Sequence, residues 1–126
     1  MLPAHPPIHR DTGTAMRYMI MFKTEKDHEV IPVCKDTTEM QRFIAELSKA
    51  GVVLSTEGLY PSERGARVRL AGGKVSVTDG PFTEAKELVA GYVIVEVPSR
   101  DEATALAGRF LGVAGDGTAE VREVIT

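Results

Sequence analysis

Apolar residues run without interruption through Tyr18-Met19-Ile20-Met21-Phe22, between the cations Arg17 and Lys23. A strand covered on one side alternates apolar and polar positions, so this run predicts a strand buried on both faces. Gly91-Tyr92-Val93-Ile94-Val95-Glu96-Val97 is built the same way, and Pro98, which lacks the ladder donor, ends it. Elsewhere the spacing is helical. Met40, Phe43, Ile44 and Leu47 fall at i, i+3, i+4 and i+7 and make one apolar stripe. Asp36 is placed to cap that helix, Glu39 three residues on completes a capping-box-like arrangement, and Gly51 is placed to end it. Ser99, with Glu102 three positions later, opens a second helix whose stripe is Ala103, Leu106, Ala107 and Phe110.

Shorter elements fill the intervals. Val52 to Leu59 reads as a strand. Arg67 to Leu70 and Lys74 to Thr78 alternate around Ala71-Gly72-Gly73, a hairpin signal with one solvated face. Gly80-Pro81 breaks the second arm, and Thr83 to Leu88 is expected to form one short helical turn. The glycine-rich loop 112–117 follows a helix and lacks a phosphate-binding lysine, which argues against a nucleotide site; Ala119 to Ile125 is the closing strand. The order β-α-β, hairpin, β-α-β predicts an α+β chain: a ferredoxin-like βαββαβ sheet with an inserted β-hairpin. Two helices cover only one face of such a sheet. Two of its strands are apolar on both faces, so the uncovered face calls for a partner, most simply a second copy in a two-fold homodimer.

Composition narrows the function classes. With 126 residues the chain is one domain, and a net charge of −3 argues against nucleic-acid capture, the cations Arg64, Arg67, Arg69 and Lys74 being confined to the hairpin region. A single cysteine, Cys34, allows no internal disulfide and fits a reducing, cytoplasmic setting. No apolar run is long enough to span a membrane. Residues 1–15 hold three of the seven prolines and two of the three histidines, and are expected to be a flexible N-terminal extension ahead of a domain at 16–126. His5 and His9 have helical spacing, but Pro6 and Pro7 stand between them; no metal site or cofactor motif is predicted.

Candidate chemistry centres on Asp79, which precedes the Gly80-Pro81 turn and Phe82 at the end of a predicted strand. Such a turn lets a ligand approach the main chain, and a partly buried Asp79 would serve as a general base with a raised pKa. The alternative, favoured because Asp-Gly is a common turn, is a carboxylate bonded to the amides that follow it. Glu57, a carboxylate on an apolar strand, is either at a pocket rim or paired with a cation such as Arg67 or Lys86. If it shared a cavity with Asp79, their repulsion would make an acid/base pair. Phe82 is a pocket wall or a core plug, Tyr92 a second wall. Lys86 and Glu87 orient an anionic ligand, pair across a dimer, or belong to a solvated face. His28 reads as a loop residue and Cys34 as an incidental thiol.

Two strings resemble a known family. Thr78-Asp79-Gly80-Pro81-Phe82-Thr83-Glu84-Ala85-Lys86-Glu87, together with Glu57-Gly58-Leu59, is similar to the DGPF subgroup of the YCII-related proteins, over roughly Met16 to Ile125. The resemblance implies a dimeric α+β barrel. Better-known relatives carry a His and Asp pair proposed to act together, and many DGPF relatives carry a histidine inside the first helix; here Met40 stands at that position, a departure that weakens the carry-over of a histidine-centred mechanism. DGPF proteins are associated with alternative sigma factors of the extracytoplasmic-function type. Two functions are therefore expected: a homodimeric binder of an unidentified small molecule, with acid/base catalysis at Asp79 and Glu57, or a non-catalytic regulatory module with a sigma-factor-related protein partner.

Overall fold

The computed structural model describes residues 16–25 and 38–126. Asp36, His28, Cys34 and the segment 1–15 lie outside the described residues. The elements are β1 (Met16–Glu25), α1 (Thr38–Lys49), β2 (Val53–Gly58), a 3-10 turn at Ser62–Arg64, β3 (Ala66–Ala71), β4 (Lys74–Asp79), β5 (Glu87–Val97), α2 (Arg100–Ala114) and β6 (Thr118–Glu123). Four strands form one antiparallel sheet in the order β2-β5-β1-β6, the ferredoxin-like arrangement, and β3-β4 form a two-stranded sheet of their own.

The core lies between this sheet and the two helices. Tyr18 and Ile20 of β1 and Val93, Val95 and Val97 of β5 point to the same side, against Met40 of α1 and Ala103, Leu106, Ala107 and Phe110 of α2. Ile20, Val93 and Val95 are wholly enclosed, each worth about 1.5–3 kcal/mol of transfer free energy. The stripes read from both helices are those that meet the sheet. Ser99 caps α2 as its sequence position requires, its hydroxyl accepting from the Glu102 amide at 3.2 Å.

The other face of the sheet is open in the single chain. Cross-strand register brings Met19 opposite Ile94 and Met21 opposite Tyr92, all half-buried, with Glu120 and Arg122 of β6 alongside. The unbroken apolar runs thus meet helices on one face only. The hairpin is more exposed still. Its two central glycines take left-handed dihedrals (φ 59° at Gly72, 77° at Gly73), the two-residue turn that matches strand twist. Val68, Leu70, Val75 and Val77 share one side of it and are 65%, 69%, 61% and 62% exposed. The expected single solvated face is therefore two solvated faces in one chain.

The segment 83–88 corrects an expectation. No helical turn forms there; the Ala85 amide donates to the Phe82 carbonyl at 3.2 Å in one tight turn, and β5 begins at Glu87. The reason is the length of β1: it runs on to Glu25, and Leu88 and Val89 find ladder partners in Thr24 and Lys23.

Candidate functional site

The turn after β4 is held by residues that nothing in its own motif announces. The Gly80 amide donates to the Gly65 carbonyl at 3.0 Å, and the Phe82 amide donates to the Ser62 hydroxyl at 3.1 Å. The amides that follow Asp79 are thereby taken by Gly65 and Ser62, which corrects the expectation that the Asp79 carboxylate binds its own turn. A Cβ at Gly80 would fall 1.8 Å from the Ser62 carbonyl oxygen, so glycine is obligatory for this close approach. The Gly80-Pro81 peptide is cis. Phe82 is half-buried beneath the Arg67 guanidinium, 4.2 Å from its ring centre, and Arg67 also pairs with Glu84. Asp79, Pro81, Lys86 and Glu87 are exposed, and among the described residues no hydrogen bond or ion pair reaches the Asp79 carboxylate.

A cavity lies elsewhere, under the helices at the β2–β5 end of the sheet. Its volume is about 110 Å³ and it opens to solvent on one side. Met40 and Ile44 of α1, Phe110 and Ala114 of α2, and Phe22 of β1 make its walls. Its floor is main chain, because Gly58 and Gly91 face each other across β2 and β5 with no side chain to rise toward the helices. One register step away, Val93 fills the equivalent space beside Thr56 and is wholly buried. Gly91 cannot easily be otherwise: a Cβ there would sit 2.9 Å from the Glu57 carbonyl oxygen and 3.2 Å from Gly58 Cα. The Thr56 hydroxyl, also at the border, donates to the Tyr92 carbonyl at 2.9 Å.

Glu57 and Tyr92, paired across the strands, are among the residues that border this cavity. Strand alternation assigns their side chains to the open face of the sheet. Asp79, Gly80, Pro81, Phe82, Lys86 and Glu87 do not border it. The single chain therefore brings Glu57 and Tyr92 together and leaves the turn at Asp79 apart. Sequence reading missed Phe22, Ile44 and Phe110 as cavity walls because they read as core, missed Ala114 because it was assigned to a loop at 112–117 whereas α2 runs on to it, and missed Gly58 and Gly91 as its floor. The facing glycines were the one available signal, Gly91 beside the register shift between Phe22 and Lys23 in the β1–β5 ladder and Gly58 at the end of β2. Among the described residues no cluster of His, Cys, Asp or Glu could hold a metal ion, and no described helix is long and apolar enough to cross a membrane.

The open face carries charge around its apolar centre. Lys23 Nζ donates to Glu120 Oε1 at 2.5 Å, and Arg122 reaches the second Glu120 oxygen at 3.2 Å. The hydrogen bond to Glu120 holds the Lys23 ammonium above its ordinary value, and the bonds from Lys23 and then Arg122 hold the Glu120 carboxyl below its own. A carboxylate with a lowered folded pKa contributes stability above its ordinary 4.5 and loses it as pH falls through the folded value. A raised lysine contributes fully below 10.5 and loses its share as pH rises through its folded value. Glu120→Gln is expected to lower Tm between those limits and to have a vanishing effect beyond them. Thermal melts of both proteins across pH check this; a difference that does not change with pH would rule the pair out as a contributor.

Comparison with known proteins gives a family and no activity. The chain is 35% identical over 82 residues to an uncharacterized protein of Rhizobium meliloti (strain 1021), a match covering 65% of this chain and 61% of that relative. The chain thus spans less than two thirds of the length of the curated relative it matches. Residues 16–126, which include every described element from β1 to β6, match the YCII-related domain. The chain belongs to the YCII-related family.

Proposed function

We propose that the protein is a homodimeric small-molecule-binding member of the DGPF subgroup, with its ligand held in the cavity floored by Gly58 and Gly91. The cavity itself carries this reading. Protein interiors are close-packed, and a space of this size beside otherwise filled core positions is where a ligand is accommodated. Binding is placed ahead of catalysis for a residue-level reason. Met40 lines the cavity where DGPF relatives are expected to carry a histidine, and a thioether moves no proton at neutral pH. Asp79 does not border the cavity, and Glu57 borders it from a strand position whose side chain faces the other side of the sheet, so within one chain an acid/base step there has little support. Xenon, which enters apolar cavities regardless of ligand chemistry, tests the site: it should shift the Met40 and Ile44 methyl resonances saturably, and unmoved methyls would refute it.

The homodimer is supported by two apolar surfaces that one chain leaves uncovered: the open sheet face around Met19, Met21 and Ile94, and the hairpin side bearing Val68, Leu70, Val75 and Val77. A lone two-stranded hairpin is marginal in water and needs a surface to pack on. Sedimentation should show a dimer that the double substitution Val68→Asp, Val77→Asp converts to monomer. A wild-type monomer at all concentrations would remove the dimer from the proposal.

The exposure of Asp79, Lys86 and Glu87 favours a second reading, a recognition loop for a sigma-factor-related protein. Charge reversal at Asp79 and Glu87 would then abolish co-purification with that partner while leaving xenon binding intact; co-purification that survives both reversals would exclude the loop.

A further inference from the structure

The chemistry of the cavity border narrows the class of ligand. Among the described residues that line it there is no lysine, arginine or histidine, and Glu57, the charged one, sits at a strand position whose side chain faces the other side of the sheet. An anion brought to this site would lose its hydration and gain no cationic partner among the described lining residues. Thr56, the polar side chain that strand alternation puts on the cavity's face, offers little in exchange. Its hydroxyl proton is already given to the Tyr92 carbonyl. What remains to recognise a guest is the walls.

Those walls favour a flat, apolar body. The Phe110 ring meets the Phe43 ring edge-on at 4.8 Å and the Phe22 ring, tilted by 52°, at 5.8 Å, so Phe110 is held from two sides and presents a fixed aromatic surface. Met40 and Ile44 complete the apolar side, Met40 with the unbranched thioether that adapts to a guest's outline. On the opposite side the bare main chain at Gly58 and Gly91 leaves a floor without projecting methyl groups. A dry cavity of about 150 Å³ lined by Leu, Ile and Phe accepts benzene. The space here, about 110 Å³ and open on one side, accepts a single ring with a substituent directed to the mouth, and not a fused or linked pair of rings.

From this geometry we infer that the cavity selects uncharged, single-ring-sized apolar molecules and rejects their carboxylate and phosphate counterparts, with the Gly58–Gly91 floor as the element that sets the depth of entry. The inference rests on the cavity being the ligand site, and it goes further in naming the ligand class and the residues that limit its size.

Toluene and benzoate make the decisive pair, because they share a ring and differ in a methyl against a carboxylate. Titration of the full chain with each, followed by the Met40 and Ile44 methyl resonances, separates site from class. Saturable shifts with toluene and none with benzoate at equal concentration are expected. Ala114→Leu, a helix-compatible substitution at the cavity wall, should weaken toluene by at least about tenfold without lowering Tm. Benzoate shifts equal to or larger than those of toluene would overturn the ligand class while leaving the site in place. Xenon shifts without toluene shifts would overturn the ring-sized limit alone. Absence of all three would overturn the class and the site together. Unweakened toluene binding in Ala114→Leu would show that the guest sits elsewhere.

Discussion

Phe110→Ala is expected to cost about 3–5 kcal/mol, the largest loss available from one side chain of α2. Phe110 is only 2% exposed, and its ring is the contact shared by Phe43 of α1 and Phe22 of β1. Removing it therefore takes away two ring–ring contacts, each worth about 0.5–1.5 kcal/mol beyond area burial, and opens a void continuous with the existing cavity. The void cannot close cheaply, because the facing strand positions Val93 and Ile20 are already filled and fixed in the ladder. Urea unfolding reads the result: the midpoint should fall while the slope stays unchanged, since native and unfolded surfaces differ little from wild type. A loss under about 1.5 kcal/mol would mean that the helices collapse into the space, and that the cavity wall is softer than the ring geometry implies.

Gly80→Ala is expected to be nearly as damaging for a different reason. The new Cβ would stand 1.8 Å from the Ser62 carbonyl oxygen and 2.7 Å from its carbon, a main-chain collision that no side-chain rotation relieves. The Ser62 carbonyl cannot withdraw without cost, because it accepts the Gly65 amide at 2.9 Å. Forced separation should cost about 1–3 kcal/mol and release the hairpin base from the Ser62–Arg64 turn. Amide hydrogen exchange locates the effect: protection of the amides at positions 80 and 82, which come from Gly65 and Ser62, should fall. Gly112→Ala is the matched control. Gly112 lies in α2 with nothing within 4 Å of an added Cβ, so alanine there should stabilise by up to about 1 kcal/mol. Equal behaviour of the two variants would show that the turn and Ser62 do not touch.

Legibility followed periodicity. Met40, Phe43, Ile44 and Leu47, and again Ala103, Leu106, Ala107 and Phe110, declare helices by spacing alone, because residues at that period share one face only when the chain is helical. Ser99 declared the start of α2 because its hydroxyl satisfies an amide three residues away, a contact wholly local in sequence. The extent of β5 was not legible. Glu87-Leu88-Val89-Ala90 has no pattern that distinguishes strand from turn, and it becomes strand only because β1 extends far enough to pair with it. The bonding of the turn after Asp79 was misread for the same kind of reason: the partners of its amides, Ser62 and Gly65, come from a different loop.

The sequence by itself determined the order of elements, the buried stripes of both helices and the two-sided apolar character of β1 and β5, because each depends on neighbours within a few residues. Tertiary structure alone decided where the space lies. Gly58 and Gly91 are distant in the chain, and only the antiparallel register of β2 with β5 sets them face to face. Only the helices crossing above them, carrying Met40 and Phe110, turn that missing pair of side chains into a cavity. The motif around Asp79 is local and conspicuous in sequence, yet the cavity arises where two strands bring side-chain-free positions together beneath packed helices.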